Sequence, residues 1–182
     1  MACTTPTAYD LDLCPQDELP GSKPFISWAF WDDVNTHPTL VASPANFADR
    51  ATTASASNLV AKTGKRIYRA DMIEFTGSLE EKLSGPDYGK SFEYTVKFRV
   101  LNNAAGLGFI DLIRNKRLVI VYHHANGEMQ LLGSTDFWVK FSEGSATTGS
   151  KTGDERYREY SFVFGPTKAP YYVGTISYAV VS

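Results

Sequence analysis

A chain of 182 residues with 43% hydrophobic content holds one domain with a sizeable core and is too short for two equal ones. A net charge of −2 gives no general electrostatic footprint for gripping nucleic acid, and no apolar run of about 18 residues exists to span a membrane. Two cysteines, Cys3 and Cys14, are too few for a disulfide scaffold.

The charge is unevenly spread. Residues 1–60 carry two basic and seven acidic side chains, about −5, whereas residues 61–182 carry sixteen basic and thirteen acidic, about +3. That split fits solvation of an exposed segment, or docking of one copy's acidic head on another copy's body. The opening Met1-Ala2-Cys3-Thr4-Thr5-Pro6 lacks the basic and apolar blocks of a signal peptide. Both cysteines are therefore expected as thiols in a reducing cytosol, with their pairing left open.

Residues 1–22, rich in Pro, Thr, Asp and Gly, read as an irregular N-terminal arm, and residues 23–182 as a single domain. Phe25 to Trp31 is a compact aromatic strand. Residues 32–64 show no confident element, and a span of that length predicts a loop ordered by function or by a partner. From Arg66 the pattern changes, and Ile67 to Thr76 reads as a strand that can continue to Leu83, closed by the turn Ser84-Gly85-Pro86-Asp87. Next, Phe92, Tyr94, Val96, Phe98 and Val100 alternate strictly with Glu93, Thr95, Lys97 and Arg99, which predicts one buried and one wet face.

Asn102 or Asn103 can cap a short helix over residues 103–116, although Gly106 and Gly108 weaken it. Leu118 to Tyr122 is short, β-branched and continuously apolar, as expected of a strand covered on both faces. Asn126-Gly127 suits a tight hairpin whose two central residues have positive φ. Met129 to Phe141 reads as the return strand, residues 142–155 as a polar loop and Tyr157 to Phe164 as a strand closed by Gly165-Pro166. The apolar Tyr171 to Val181 is expected against its own domain or a neighbour's. The fold class is thus mainly β: an antiparallel sandwich or barrel with one short helix.

No chemical motif is complete. Ser84 to Ser91 ends like a phosphate-binding loop, but that loop needs Gly where Ser84 stands and a helix where a strand follows. Gly106-Leu107-Gly108 lacks the third glycine of a dinucleotide fingerprint, so the pair reads as a site of close backbone approach. His123 and His124 are adjacent in a strand and point to opposite faces, and His37 lies in a loop, so no metal set forms. Glu80-Glu81 and Asp154-Glu155 likewise diverge or sit in loops, and no Gly-x-Ser-x-Gly elbow is present. No catalytic, cofactor-binding or metal-binding residue is assigned, and the chain is read as non-enzymatic. The aromatic set Trp28, Phe30, Trp31, Trp138 and Phe141 suits a core or subunit interface better than a sugar-stacking surface.

Met1-Ala2-Cys3, the second cysteine in Cys14-Pro15-Gln16-Asp17-Glu18-Leu19-Pro20-Gly21, and the aromatic strand that follows form one pattern. Phe92 to Val100, a helix over Asn103 to Lys116, Leu118 to Asn126, Glu128 to Phe141, the Ser142 to Asp154 loop and Arg156 to Pro170 form a second. Together they resemble tail tube-like structural proteins of tailed bacteriophages and prophages. The resemblance covers about two thirds of the chain and implies a β-sandwich plus helix whose copies stack as hexameric rings around a DNA channel. It further implies self-association, contact with other tail or connector proteins, weak and non-specific contact with passing DNA, no membrane partner, no cofactor, and a place in the virion tail after synthesis in the host cytoplasm. An acidic lumen would let DNA slide, whereas a basic one would hold it through phosphate contacts. Alternatives are another phage structural protein, such as a tail terminator, connector ring or capsid-stabilising protein, and a carbohydrate-binding β-sandwich.

Overall fold

The computed structural model describes residues 21–55, 57–149 and 156–181. Most of the expected N-terminal arm, with Cys3, Cys14 and the larger share of the acidic head, lies outside these residues, as does Asp154-Glu155.

The described chain is mainly β with antiparallel sheets, as its patterning predicts. One four-stranded sheet runs in the order β4 (Tyr68–Asp71), β1 (Ser22–Phe30), β7 (Leu118–His124), β8 (Met129–Leu132). The other runs β5 (Ser78–Ser84), β6 (Ser91–Leu101), β10 (Tyr157–Phe164), β9 (Lys140–Thr147). We call them the first and second sheets. A small ladder joins β2 (Val34–Thr36) to β3 (Val60–Ala61).

The period-two run of β6 does what alternation requires: Tyr94, Val96 and Phe98 are buried between the sheets, while Glu93, Thr95, Lys97 and Arg99 face outward. Phe98 stacks on Phe162 across the β6–β10 ladder with ring centroids 5.6 Å apart. In β7 the side chains also alternate, but both faces are dry. Leu118, Ile120 and Tyr122 join the core between the sheets. Val119 and Val121 enter a second core with Ala29, Val34, Leu59, Ile67, Leu131 and Tyr172. Each such aliphatic burial contributes about 1.5–3 kcal/mol, which accounts for a strand with no polar alternation.

The second core is roofed by segments that sequence periodicity did not mark. Residues 32–64, expected as a loop, carry β2, the five-residue helix α1 (Phe47–Ala51) and β3. Asn46 caps α1 by accepting the Asp49 N–H at 2.9 Å. Val34, Leu59 and Ala61 are buried within the chain itself. The terminal segment 171–181 forms no strand. It is held by bridges from Tyr171 to Thr52 and Gln130 and by backbone bonds between Val181 and both Gly64 and Lys65. Tyr172 Oη accepts the Leu59 N–H at 3.0 Å and donates to Thr175 O at 2.8 Å. The apolar end thus lies against its own domain.

Other boundaries differ from expectation for identifiable reasons. Residues 66–83 are two strands in different sheets, because the chain turns at Ile73–Thr76 and crosses over at Gly77. A Cβ on Gly77 would lie 2.2 Å from Ser22 Oγ. Residues 129–141 also split. The chain leaves the first sheet at Gly133, whose φ of +129° and close approach to Val119 favour glycine, and enters the second at Lys140. β9 continues to Thr147 inside the stretch expected as loop, because as an edge strand its outward Glu143, Ser145 and Thr147 look polar in sequence. The β7–β8 connection has only Gly127 at positive φ, and Asn126 is not left-handed. Ala125 adds a third loop residue, and His124 N–H bonds Glu128 O at 2.9 Å.

The single long helix, α2 (Ala104–Ile113), starts where the asparagines predict: Asn103 Oδ1 accepts the Gly106 N–H at 2.8 Å. It stops three residues before Lys116. Gly106 is needed because a Cβ there would sit 2.6 Å from Leu101 O, and Tyr160 Oη donates to Gly106 O at 2.6 Å. A Cβ on Gly108 would meet nothing within 4 Å, so the expected glycine pair is one close contact and one open position.

Candidate functional site

The residues that hinted at chemistry are dispersed by the fold. Ser84 to Ser91 is the β5–β6 hairpin, with Ser91 Oγ donating to Ser84 O, and a strand follows it. Glu80 faces outward toward Lys97 at 3.9 Å, whereas Glu81 turns inward beside Tyr94. Burial, reinforced by Glu81, pushes the Tyr94 phenol up to about 12. His123 and His124 do take opposite faces: His123 meets Ser27, and His124 Nε2 lies 3.3 Å from Gln130 Oε1. Desolvation lowers the pKa of His37, which lies beside Trp31. Among the described residues no three His, Cys, Asp or Glu side chains converge on a metal position, and no helix is long and apolar enough to cross a membrane.

One polar cluster was not legible in the sequence. Ser27 Oγ lies 2.8 Å from His123 Nε2 and 2.7 Å from Tyr178 Oη, which brings β1, β7 and the terminal segment together. The contact resembles a nucleophile and its base, but Ser27 has no accessible surface and His123 is 5% exposed, so no substrate reaches either. Burial, with Lys23, Arg69 and His124 nearby, lowers the His123 pKa to about 4, and the ring is held neutral. The cluster is a latch for the terminal segment.

The aromatic set also divides. Trp28 belongs to the main core, stacked on Tyr68 at 4.8 Å, with Phe30 and Phe141 packed against it. Trp31 and Trp138 meet at 5.7 Å, but the Arg117 guanidinium lies 4.6 and 5.0 Å from their rings and is held by Asp32. Trp31 Nε1 further donates to Ser134 O. No flat indole pair is left open for stacking on a sugar.

What the fold does present is surface. α2 is apolar except for Asp111, and it exposes Ala104, Ala105, Leu107, Gly108, Asp111 and Leu112, with both leucines 52% exposed and Leu101 open just before the helix. A helix apolar all round is ordinarily buried. Two aromatics stand in solvent on left-handed backbone: Phe75 (φ 60°, 91% exposed) and Tyr88 (φ 67°, 108% exposed). Such a conformation costs about 1–3 kcal/mol for a bulky residue. Tyr88 occupies the tip of the β5–β6 hairpin. Beside α2, a groove of about 300 Å³ opens along edge strand β4 and the end of β6, walled by Trp28, Tyr68, Ala70, Val100 and Phe109. The outer face of the second sheet carries Glu80, Glu93, Glu143 and Glu159 against Lys82, Lys97, Arg99 and Lys140, which leaves no net charge.

Among the described residues the fold is a mainly β, antiparallel arrangement with two capped helices, of which α2 is the longer and exposes two leucines. Compared with known proteins, the chain matches no family model, no curated protein and no solved structure.

Proposed function

We propose that this chain is a structural subunit that works by associating with copies of itself, and that its assembled form is a tail tube of stacked hexameric rings around a channel for genome delivery. The observation that carries the reading is the outer side of α2. Leu107 and Leu112 on the helix and Leu101 just before it are each more than half exposed, on an element that supplies only one charged side chain, Asp111. Covering such a surface is favourable at about 25 cal/mol per Å², and patches of this kind mark association sites.

Two further features support the reading. Two antiparallel sheets with one helix are the architecture that the sequence resemblance implies. The outer face of the second sheet is polar and balanced in charge, so a channel lined by it would touch DNA without gripping phosphates. The acidic head, docking on the body of another copy, would steer encounter over about 8 Å at physiological salt. A terminator, connector ring or capsid-stabilising protein would use the same apolar face and differ in the shape of the assembly.

Size-exclusion chromatography with light scattering, followed by negative-stain electron microscopy of the purified chain, tests the proposal. Rings or tubes are expected, with assembly slowed by salt. A single ring that never stacks points to a terminator or connector, and a monomer at every concentration overturns the reading.

A further inference from the structure

Three elements meet at the buried Ser27–His123–Tyr178 contact, and they are held in place very differently. In β1 and β7, Ile26, Trp28, Ile120 and Tyr122 face the core between the sheets, so Ser27 and His123 face the other way, toward the terminal segment. Both strands are paired on either side within the first sheet. Tyr178 belongs to no ladder. The terminal segment is itself attached unevenly. Its first part is anchored by Tyr172 N–H to Met129 O at 2.7 Å, Val173 N–H to Thr53 Oγ1 at 3.2 Å and Thr175 N–H to Asn58 Oδ1 at 3.1 Å. Beyond Thr175, Ile176 packs partly buried on the second core and residues 177–180 are exposed. The bonds there, among the described residues, are those of Tyr178 to Ser27 and of Val181 with Gly64 and Lys65.

We propose that residues 176–181 are an acid-released flap: protonation of His123 detaches them from the first sheet, while Tyr172 and both sheets stay in place. The inference does not depend on the assembly reading. A neutral imidazole suits the closed arrangement, because Nε2 can accept from Ser27 Oγ, which accepts in turn from Tyr178. An imidazolium must donate instead. Ser27 can then turn its proton toward Tyr178, so hydrogen bonding alone does not decide the outcome, and the buried charge does. His123 is almost inaccessible to water. The Lys23 ammonium from β1, the Arg69 guanidinium from β4 and the neighbouring His124 on β7 all disfavour a further positive charge on it. Asp71 on β4 is engaged by Arg69 at 2.7 Å, the Phe25 ring lies 4.5 Å from the imidazole, and uncharged Met129 stands opposite on β8. Water reaches an imidazolium here by displacing the element with the fewest bonds, which is the flap. Burial and the nearby cations hold the closed-state pKa at about 4, against 6.5 for a solvated ring. Opening therefore takes up a proton. Its equilibrium constant is flat above about 6.5 and rises about a hundredfold as pH falls from 7 to 4.

The test is amide hydrogen exchange of the full chain between pH 7 and pH 4, with each rate normalised to that of an unstructured peptide at the same pH. Val181 and Gly64 report the flap, because their N–H groups bond Lys65 O and Val181 O. Tyr172 and Leu59 report the anchored part. Protection at Val181 and Gly64 is expected to fall about a hundredfold over this range, with Tyr172, Leu59 and the β6 amides holding theirs. His123→Gln keeps a polar partner for Ser27 and cannot titrate there, so its Val181 protection should not change with pH. Tyr178→Ala should release the flap at pH 7, with Tyr172 still protected, and the His123 ring should then titrate nearer 6.5 in NMR. Val181 and Tyr172 losing protection together would mean that the whole layer opens, and the flap is refuted. Protection at Val181 that is absent at pH 7, or does not depend on pH, refutes it too. A fall that persists in His123→Gln, or a His123 that still titrates near 4 in Tyr178→Ala, assigns the proton or the cover to other residues and overturns the proposal.

Discussion

β7 and β6 are the central strands of their sheets, yet their surroundings differ. β7 is sealed on both faces, by the second sheet on one side and by β2, β3 and the terminal segment on the other. β6 is sealed on one face and wet on the other, where Lys97 and Arg99 pair with Glu80 and Glu159. The first sheet is therefore carried in the interior, with its β8 edge and outer face occupied by the chain's own irregular segments, while its β4 edge borders the groove beside α2. The second sheet keeps a polar face, a protruding hairpin and an adjacent apolar helix available to other molecules. Stability is concentrated in one layer and presentation in the other.

The comparison can be broken at the shared core. Phe98→Ala removes a fully buried ring stacked on Phe162 and should lose about 3–5 kcal/mol in denaturant unfolding. A loss near that of a surface substitution would mean that the second sheet does not share the core.

The latch over the first sheet should respond to pH. The folded pKa of His123 is lowered to about 4 from 6.5, so the unfolded chain binds the extra proton first. The stabilisation is complete above about 6.5 and is lost as pH falls toward 4, by at most about 3 kcal/mol. His123→Gln should flatten the midpoint-against-pH curve in this window, and an unchanged slope would place the proton elsewhere. Tyr172→Phe sharpens the same side of the comparison. It leaves the Leu59 N–H without its acceptor and should reduce stability by about 1–3 kcal/mol, with faster amide exchange at Leu59. The smallest effect is expected on the wet face: Lys97→Ala disturbs only an exposed pair and should change stability by less than about 0.5 kcal/mol.

Much of the α2 patch could be read from sequence, because Ala104 to Ile113 contains one charged residue and an asparagine stands in capping position. The exposure of Tyr88 has no such signal, since the turn Ser84-Gly85-Pro86-Asp87 says where the chain reverses and not which ring it displays. The Ser27–His123–Tyr178 latch had no sequence signal at all. Its members are separated by 96 and 151 positions, and no local pattern links such distances.

By itself the sequence determined whatever depends on nearest neighbours along the chain. The alternation of Phe92 to Val100 specified a two-faced strand, the apolar run Leu118 to Tyr122 specified a strand with no wet face, and Asn103 set the start of α2. Tertiary structure decided where strands end and which sheet receives them. The chain leaves the first sheet after β4 and after β8, through turns that contain Gly77 and Gly133, and the irregular stretches 32–64 and 171–181 are ordered because they cover Val119 and Val121. Those contacts join residues far apart in sequence, so their energy is available only once the sheets have met.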